Sequence, residues 1–163
     1  MKDITVLFDI DYTLFNTDSF KESGLTLYTL YPQVKKVLEL LNTKYTLGIL
    51  SEGDMELQIN KLKQTGIMSL FSQKSTFIVK DKHEELEQIM KLVVAEKAVF
   101  VEDKKEMLAR AKELDKNLIT VWVKNGPYAQ STQSAFIPDY EISKLIELPN
   151  LLEDALPSVE STS

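Results

Sequence analysis

Short apolar runs alternate with longer segments whose apolar residues repeat at helical spacing, and this alternation is the strongest constraint on the fold. The apolar runs lie at residues 4–8, 45–50, 75–79, 98–101 and 118–123. They are rich in β-branched and aromatic residues, as buried strands of parallel sheets are. Because parallel strands are usually connected by helices, the pattern predicts an α/β fold. We expect a doubly wound, Rossmann-like parallel sheet with helices on both faces.

The segments between these runs predict helices with one apolar face. Pro32 suits the first turn of a helix, Gly66 suits a helix end, and Asp81 followed by Glu84 suits a helix start. A further helix is predicted over 104–114, and residues 15–31 are expected to form a lid or binding loop. The predicted apolar faces are Val34, Val37, Leu38 and Leu41; Met55, Ile59 and Leu62; Leu86, Ile89, Met90 and Val93; and, in a last short helix, Ile142, Leu145, Ile146 and Leu148.

The chain has 163 residues, 44% of them hydrophobic and 27% charged, with a formal net charge of −6. This size and composition predict a single domain over residues 1–156 and a frayed polar tail over 157–163. No apolar run approaches the ~20 residues that cross a bilayer, and no signal-peptide pattern is present, so we expect a cytoplasmic protein without a membrane partner. The acidic balance argues against a nucleic-acid partner. The absence of cysteine excludes disulfides and a cysteine nucleophile.

Two acidic residues, Asp9 and Asp11, follow the first apolar run. Carboxylates at the end of a buried strand are costly to desolvate unless a cation or hydrogen-bond donors compensate them. Ligands of open α/β sheets bind beyond the carboxyl ends of the strands, so both side chains are candidates for a site at that edge. The alternative is structural, because Asp after a strand often forms a turn or caps a helix.

Residues 8–14, Phe-Asp-Ile-Asp-Tyr-Thr-Leu, resemble the first motif of the haloacid dehalogenase (HAD) superfamily, which is Asp-x-Asp-x-Thr after an apolar strand. The resemblance implies a HAD-like fold and three further motifs at later strand ends: a hydroxyl, a lysine and a carboxylate. Ser51, after the second apolar run, matches the hydroxyl. The resemblance covers about residues 4–123. Because residues 15–31 are too few to form a large cap domain, the resemblance implies a phosphatase of the minimal-cap type.

The lysine of the third motif has two candidates, Lys80 and Lys82. If Asp81 caps the following helix, Lys80 lies just outside that helix at the edge of the sheet, whereas Lys82 lies in its first turn. Lys80 is therefore the preferred candidate and Lys82 the alternative. The structural explanation for either lysine is a solvated run of charges, and the neighbouring His83 is expected on the surface.

The carboxylate of the fourth motif is Asp103, which follows the fourth apolar run. The family pattern has a second acid a few residues further on, but Met107 and Leu108 occupy those positions here. Glu102 or Glu106 would therefore have to assist. Asp103 is a candidate Mg²⁺ ligand because hard divalent ions bind carboxylate oxygens.

The resemblance implies a Mg²⁺-dependent phosphatase that works through an aspartyl-phosphate. Asp9 would be the nucleophile, and Asp11 would act as general acid and then as general base. Ser51 and Lys80 would hold the phosphoryl oxygens. Mg²⁺ would be bound by the Asp9 carboxylate, the backbone carbonyl of Asp11, and Asp103. The expected partner is a phosphorylated substrate, and the open edge could also be completed by another copy of the chain in a homo-oligomer.

Two other functions are compatible with the sequence. A receiver-type signalling domain also carries clustered acids, a hydroxyl and a lysine on a doubly wound sheet, but its lysine follows its last acid, whereas both candidates here precede Asp103. The second possible function is that of a non-catalytic module on the same fold that binds a phosphorylated ligand. It is compatible with the sequence because the fourth motif departs from the family pattern.

Overall fold

The computed structural model of the chain describes residues 3–93, 95–130 and 134–157. A six-stranded sheet lies at its centre, and every pair of neighbouring strands is parallel. The strands are β1 (Ile4–Phe8), β2 (Thr46–Glu52), β3 (Thr76–Val79), β4 (Lys97–Glu102), β5 (Ile119–Val123) and β6 (Tyr140–Ile142). They run in the order β3-β2-β1-β4-β5-β6 across the sheet.

Helices cover both faces of the sheet, so the predicted doubly wound α/β fold is confirmed. Side chains of a strand alternate between faces, and accordingly Val6 and Phe8 enter one buried cluster while Leu7 enters the other. The helices are α1 (Thr17–Glu22), α2 (Val34–Asn42), α3 (Met55–Gln64), α4 (Lys82–Leu92), α5 (Lys105–Leu114) and α6 (Leu148–Ala155). The first cluster includes buried residues of α1, α2, α3 and α6, and the second includes those of α4 and α5.

The strand order creates a crevice at the carboxyl ends of β1 and β4. From β1 the chain moves outward to β2 and β3, and it then returns to the other side of β1 to form β4, β5 and β6. At such a point the connections leave neighbouring strands in opposite directions, and open α/β sheets bind their ligands there. The two strands that carry the predicted carboxylates are therefore neighbours at the point where a ligand site is expected.

The C-terminal part differs from the sequence prediction. Ile142 ends the edge strand β6, where it pairs with Val123, instead of lying in a helix. Residues 145 and 146 belong to a short 3₁₀ helix, and α6 begins only at Leu148, with Pro149 in its first turn. A three-residue edge strand is too short to show an alternating pattern, which is why the sequence favoured a single helix. The predicted tail lies outside the described residues except for Pro157.

The segment after the first motif is more ordered than the predicted irregular loop. It contains α1 (Thr17–Glu22), whose start is capped by the Asn16 side chain, which accepts a hydrogen bond from the Ser19 backbone N–H. Phe15 and Phe20 are buried in the first cluster, with their rings 5.3 Å apart in a T-shaped arrangement.

None of the helices in residues 3–93, 95–130 and 134–157 has the length and apolar character needed to cross a bilayer.

Candidate active site

Three buried carboxylates lie together in the crevice between β1 and β4. Asp9 follows β1, Glu102 ends β4, and Asp103 comes next. Their relative exposures are 7%, 1% and 2%, and one carboxylate oxygen from each lies within 4.8 Å of the others. The Asp9 backbone N–H donates to the carbonyl of Val101, 3.1 Å away, so the sheet pairing extends into the site and fixes the relative positions of the two strand ends.

Lys82, rather than Lys80, is the lysine of this cluster. Its Nζ lies 2.9 Å from Asp9 Oδ1 and 2.7 Å from Glu102 Oε1, and the side chain is almost fully buried. Lys80 is exposed and lies outside the cluster, so the prediction that Lys80 rather than Lys82 lies beside the carboxylates is wrong. Asp81 does cap α4, as predicted, by accepting from the Glu84 N–H at 3.0 Å. The error lay in assuming that a first-turn side chain points away from the sheet edge.

The neighbouring charges shift the pKa values of this cluster in opposite directions. Burial opposes the charge on Lys82, but the carboxylates of Asp9 and Glu102 outweigh it and raise the pKa of Lys82 above its usual range. Burial also disfavours the charged form of Glu102, yet chiefly the Lys82 ammonium lowers the pKa of Glu102 to about 2. Burial and the Glu102 carboxylate raise the pKa of Asp9 to about 7 against the effect of Lys82. Burial, with Asp9 and Glu102, raises the pKa of Asp103 to about 12.

The carboxylate cluster has the chemistry of a divalent cation site. The Asp103 Oδ2 atom is buried and has no hydrogen-bond partner, although buried polar atoms are normally satisfied. When all three carboxylates are ionised, the single ammonium of Lys82 leaves two negative charges uncompensated. Hard divalent ions bind such oxygens. Because Glu102 is engaged by Lys82 and by the Asp103 backbone N–H at 2.8 Å, Asp9 and Asp103 have the oxygens best suited to hold the ion.

Asp11 lies nearer to solvent than Asp9, with 30% of its side chain exposed. Its Oδ1 accepts from Lys61 Nζ at 2.8 Å and from Thr17 Oγ1 at 3.0 Å. Its Oδ2 accepts from Gln58 Nε2 at 3.2 Å. Three donors from two different helices therefore fix the direction of this carboxylate.

Ser51 lies within β2 and is fully buried, with Gln58 between it and Asp11. Its Oγ accepts from Gln58 Nε2 at 2.8 Å, and the same nitrogen also contacts Asp11. Gly53 leaves room for Gln58, because a Cβ at position 53 would lie 3.2 Å from the Gln58 side chain. Ser51 is thus connected to Asp11 through an amide, and it does not line the cavity in front of the carboxylates.

Gln58 and Lys61 were missed by the sequence analysis. The buried face of α3 is Gln58, Lys61 and Leu62, whereas Met55, predicted to be buried, is 54% exposed. Gln58 lies four residues before Leu62 and Lys61 lies one residue before it. Helical spacing therefore places these two long polar side chains at core positions of the helix. Polar residues on the inward face of a helix indicate a buried polar site.

A cavity of about 200 Å³ opens in front of the carboxylates. Its inner wall is formed by Asp9, Lys82 and Asp103, with Asp11 beside them. Of the two candidate acids beside Asp103, Glu102 also lines this cavity, whereas Glu106 is exposed on α5. The rest of the wall is formed by Tyr12, Glu52, Lys104, Met107 and Tyr128.

Solved structures described as HAD-like hydrolases share this fold. A protein of Burkholderia xenovorans described as a haloacid dehalogenase-like hydrolase has a TM-score of 0.80 and 21% identity, covering 97% of this chain and 100% of the other. The HAD-hydrolase YfnB of Bacillus subtilis, solved bound to magnesium, has a TM-score of 0.72 and 16% identity, covering 93% and 99%. A protein of Haemophilus somnus described as a predicted phosphoglycolate phosphatase has a TM-score of 0.67 and 16% identity, covering 92% and 97%.

Haloacid dehalogenases are also among the similar structures. No protein-family model and no curated protein sequence matches this chain. The likeness is therefore one of structure, and it agrees with the Asp-x-Asp-x-Thr motif at residues 9–13. The chain has the fold of the haloacid dehalogenase-like hydrolases.

Proposed function

We propose that this chain is a Mg²⁺-dependent phosphatase that hydrolyses phosphoric monoesters through an aspartyl-phosphate on Asp9. The observation that carries the proposal is the different setting of the two motif carboxylates. Asp9 is buried at the inner wall of the cavity against Lys82, and Asp11 is partly exposed beside it. Phosphoryl transfer with covalent catalysis needs a nucleophile and a proton donor on the leaving-group side, and this pair supplies both.

The proposed reaction has two steps that this chain's residues perform. A carboxylate oxygen of Asp9 bonds to phosphorus while the bond from phosphorus to the ester oxygen breaks, and the leaving oxygen takes the proton of Asp11. Asp11, now a carboxylate, then accepts a proton from a water molecule whose oxygen bonds to phosphorus. The bond to Asp9 breaks, which releases inorganic phosphate and restores the Asp9 carboxylate.

Positive charge in the site favours both steps. Lys82, which takes the place of the predicted Lys80, directs its ammonium at the nucleophile from 2.9 Å and lowers the repulsion between Asp9 and an anionic phosphoryl group. Mg²⁺ would be held by the carboxylates of Asp9 and Asp103 and by the Asp11 backbone carbonyl, and when bound it neutralises charge on the phosphoryl oxygens. Ser51, behind Gln58, serves in this proposal to orient that amide.

The alternatives are less well supported. A dehalogenase expels a halide ion, which needs no proton, so it has no use for an acid held as Asp11 is held. The receiver-type alternative requires a sheet of order 2-1-3-4-5, as in flavodoxin-like folds, and the order here is 3-2-1-4-5-6. A binding module without turnover remains the alternative that an activity measurement addresses directly.

The test is a panel of phosphate monoesters assayed for released phosphate with Mg²⁺ and with EDTA. We expect Mg²⁺-dependent turnover by the wild-type protein and a loss of about 10³-fold or more in Asp9→Asn, which keeps the shape of the side chain but removes the nucleophile. Asp154→Asn, on the exposed side of α6, is the matched control and should retain full activity. Absence of turnover on the whole panel by a folded wild-type protein would favour the binding module.

A further inference from the structure

Lys61 is a buried cation that belongs to none of the four motifs. Only 6% of its side chain is exposed, and its Nζ lies 2.8 Å from Asp11 Oδ1. On its other side are the rings of Phe15 and Phe20, whose centroids lie 5.1 and 5.4 Å from the ammonium. The charge is therefore enclosed between one carboxylate and two aromatic faces.

Stability alone does not account for a charge at this position. A buried ion pair seldom contributes more to stability than apolar side chains of similar volume, because both charges must be desolvated. Lys61 follows Gln58 by three residues on α3 and precedes Leu62, which is in the first apolar cluster. An apolar residue would fit the same helix face, so the ammonium points to a role at Asp11.

The ammonium contributes direction as well as charge. Thr17 and Lys61 both donate to Oδ1 of Asp11, and Gln58 donates to Oδ2. Because Lys61 itself is held under Phe15 and Phe20, the position of the Asp11 carboxylate depends on the packing of the segment between β1 and α2. Holding a reacting group in one orientation can account for a large part of a rate enhancement.

We infer that Lys61 is a positioning residue for Asp11: it keeps this carboxyl group directed at the ester oxygen of the substrate and stabilises the carboxylate that remains after the proton has moved to that oxygen. The inference rests on the proposed phosphatase function. When the bond between phosphorus and the ester oxygen breaks, the oxygen keeps the electron pair and receives the Asp11 proton. Asp11 is left with a negative charge 2.8 Å from the Lys61 ammonium.

The test compares two esters of similar size whose leaving groups differ in their need for a proton. Phenyl phosphate releases a poor leaving group that depends on proton donation, and p-nitrophenyl phosphate releases a much better one. In Lys61→Met we expect kcat/KM to fall about tenfold or more on phenyl phosphate and clearly less on p-nitrophenyl phosphate, since proton donation is worth about 10²–10⁴-fold. Lys61→Arg, which keeps the charge, should restore part of the difference.

The ratio of the two kcat/KM values is the decisive readout, because it does not depend on how much of a variant is folded. Lys63→Met is the matched control, since Lys63 is exposed on the same helix, and its ratio should equal that of the wild type. An equal fall on both esters in Lys61→Met would show a structural role and overturn the inference. Absence of turnover by the wild-type protein on both esters and on the whole panel, with Mg²⁺ present, would overturn the proposed function together with the inference.

Discussion

Replacing Lys82 by Met tests the electrostatic organisation of the site. The Lys82 ammonium contacts Asp9 and Glu102, and both partners are nearly inaccessible to solvent, with side-chain exposures of 10% and 1%. Met has a similar length and no charge, so the change removes the cation without leaving a large void. The three carboxylates then face one another without compensation unless they bind a proton or a metal ion.

The expected loss of stability follows from this burial. Removing one partner of a buried ion pair typically costs about 3–5 kcal/mol. For a chain of this size, 1 kcal/mol corresponds to a change of about 2–4 °C in Tm, so Tm should fall by about 6–20 °C. Lys80→Met is the matched control: Lys80 is exposed two residues earlier, and exposed substitutions usually change stability by about 0.5 kcal/mol or less.

Thermal unfolding of the metal-free protein, measured in EDTA from pH 5 to pH 9, provides the assay. The stabilisation from the raised pKa of Lys82 is complete below its ordinary value of 10.5 and is lost only as pH rises beyond that. The stabilisation from the lowered pKa of Glu102 is complete above its ordinary value of 4.5 and is lost as pH falls towards about 2. The pairing of Lys82 with Glu102 is therefore intact over the whole range.

The double variant Lys82→Met/Glu102→Gln isolates the pairing itself. The two changes should be strongly non-additive, with a coupling of about 1–3 kcal/mol, because they remove the same contact. Equal Tm values for Lys80→Met and Lys82→Met, or strict additivity in the double variant, would refute the assignment of Lys82 as the buried counter-ion.

Three further outcomes are expected. Mg²⁺ should raise the Tm of the wild-type protein, and Asp103→Asn should abolish most of that rise in a calorimetric scan. In EDTA, the stability of the wild-type protein should fall as pH rises from about 4 through 7, because the pKa values of Asp9 and Asp103 are raised from 3.8 and the folded chain retains protons that the unfolded chain releases; a Tm that rises over this range would contradict the burial argument. Gly48→Ala should lower the denaturant midpoint by the equivalent of about 1–3 kcal/mol, since its Cβ would lie 2.3 Å from the Ser75 carbonyl oxygen; an unchanged midpoint would mean that the β2 backbone gives way easily.

Local patterns in the sequence were sufficient for most of the fold. Each of the first five strands formed at a short apolar run, because such a run can be buried only between two layers of helices. The helix face of Val34, Val37, Leu38 and Leu41 is buried as predicted. The position of Asp9, Asp11 and Asp103 at one edge also followed, since all parallel strands present their carboxyl ends on the same side.

Three features depended on the tertiary structure. The strand order, which makes β1 and β4 neighbours, is a matter of long-range pairing that no local pattern encodes. The short strand β6 exists because β5 offers it an edge to pair with. The contacts of Gln58 and Lys61 with Asp11 depend on where α3 lies relative to the end of β1, which helical spacing within α3 does not reveal.

The choice between Lys80 and Lys82 shows most clearly what a local sequence pattern cannot predict. The local sequence was enough to predict where α4 begins, because Asp81 can cap it, and the structure agrees. It did not determine the direction of each side chain around that first turn. That direction is set by the contact of the Lys82 backbone N–H with Glu52 and by the path of α4 over the sheet, which together turn Lys82 toward Asp9 and leave Lys80 in solvent. Capping is a local interaction, whereas the pairing of buried charges requires partners that are 73 and 20 residues distant in the chain.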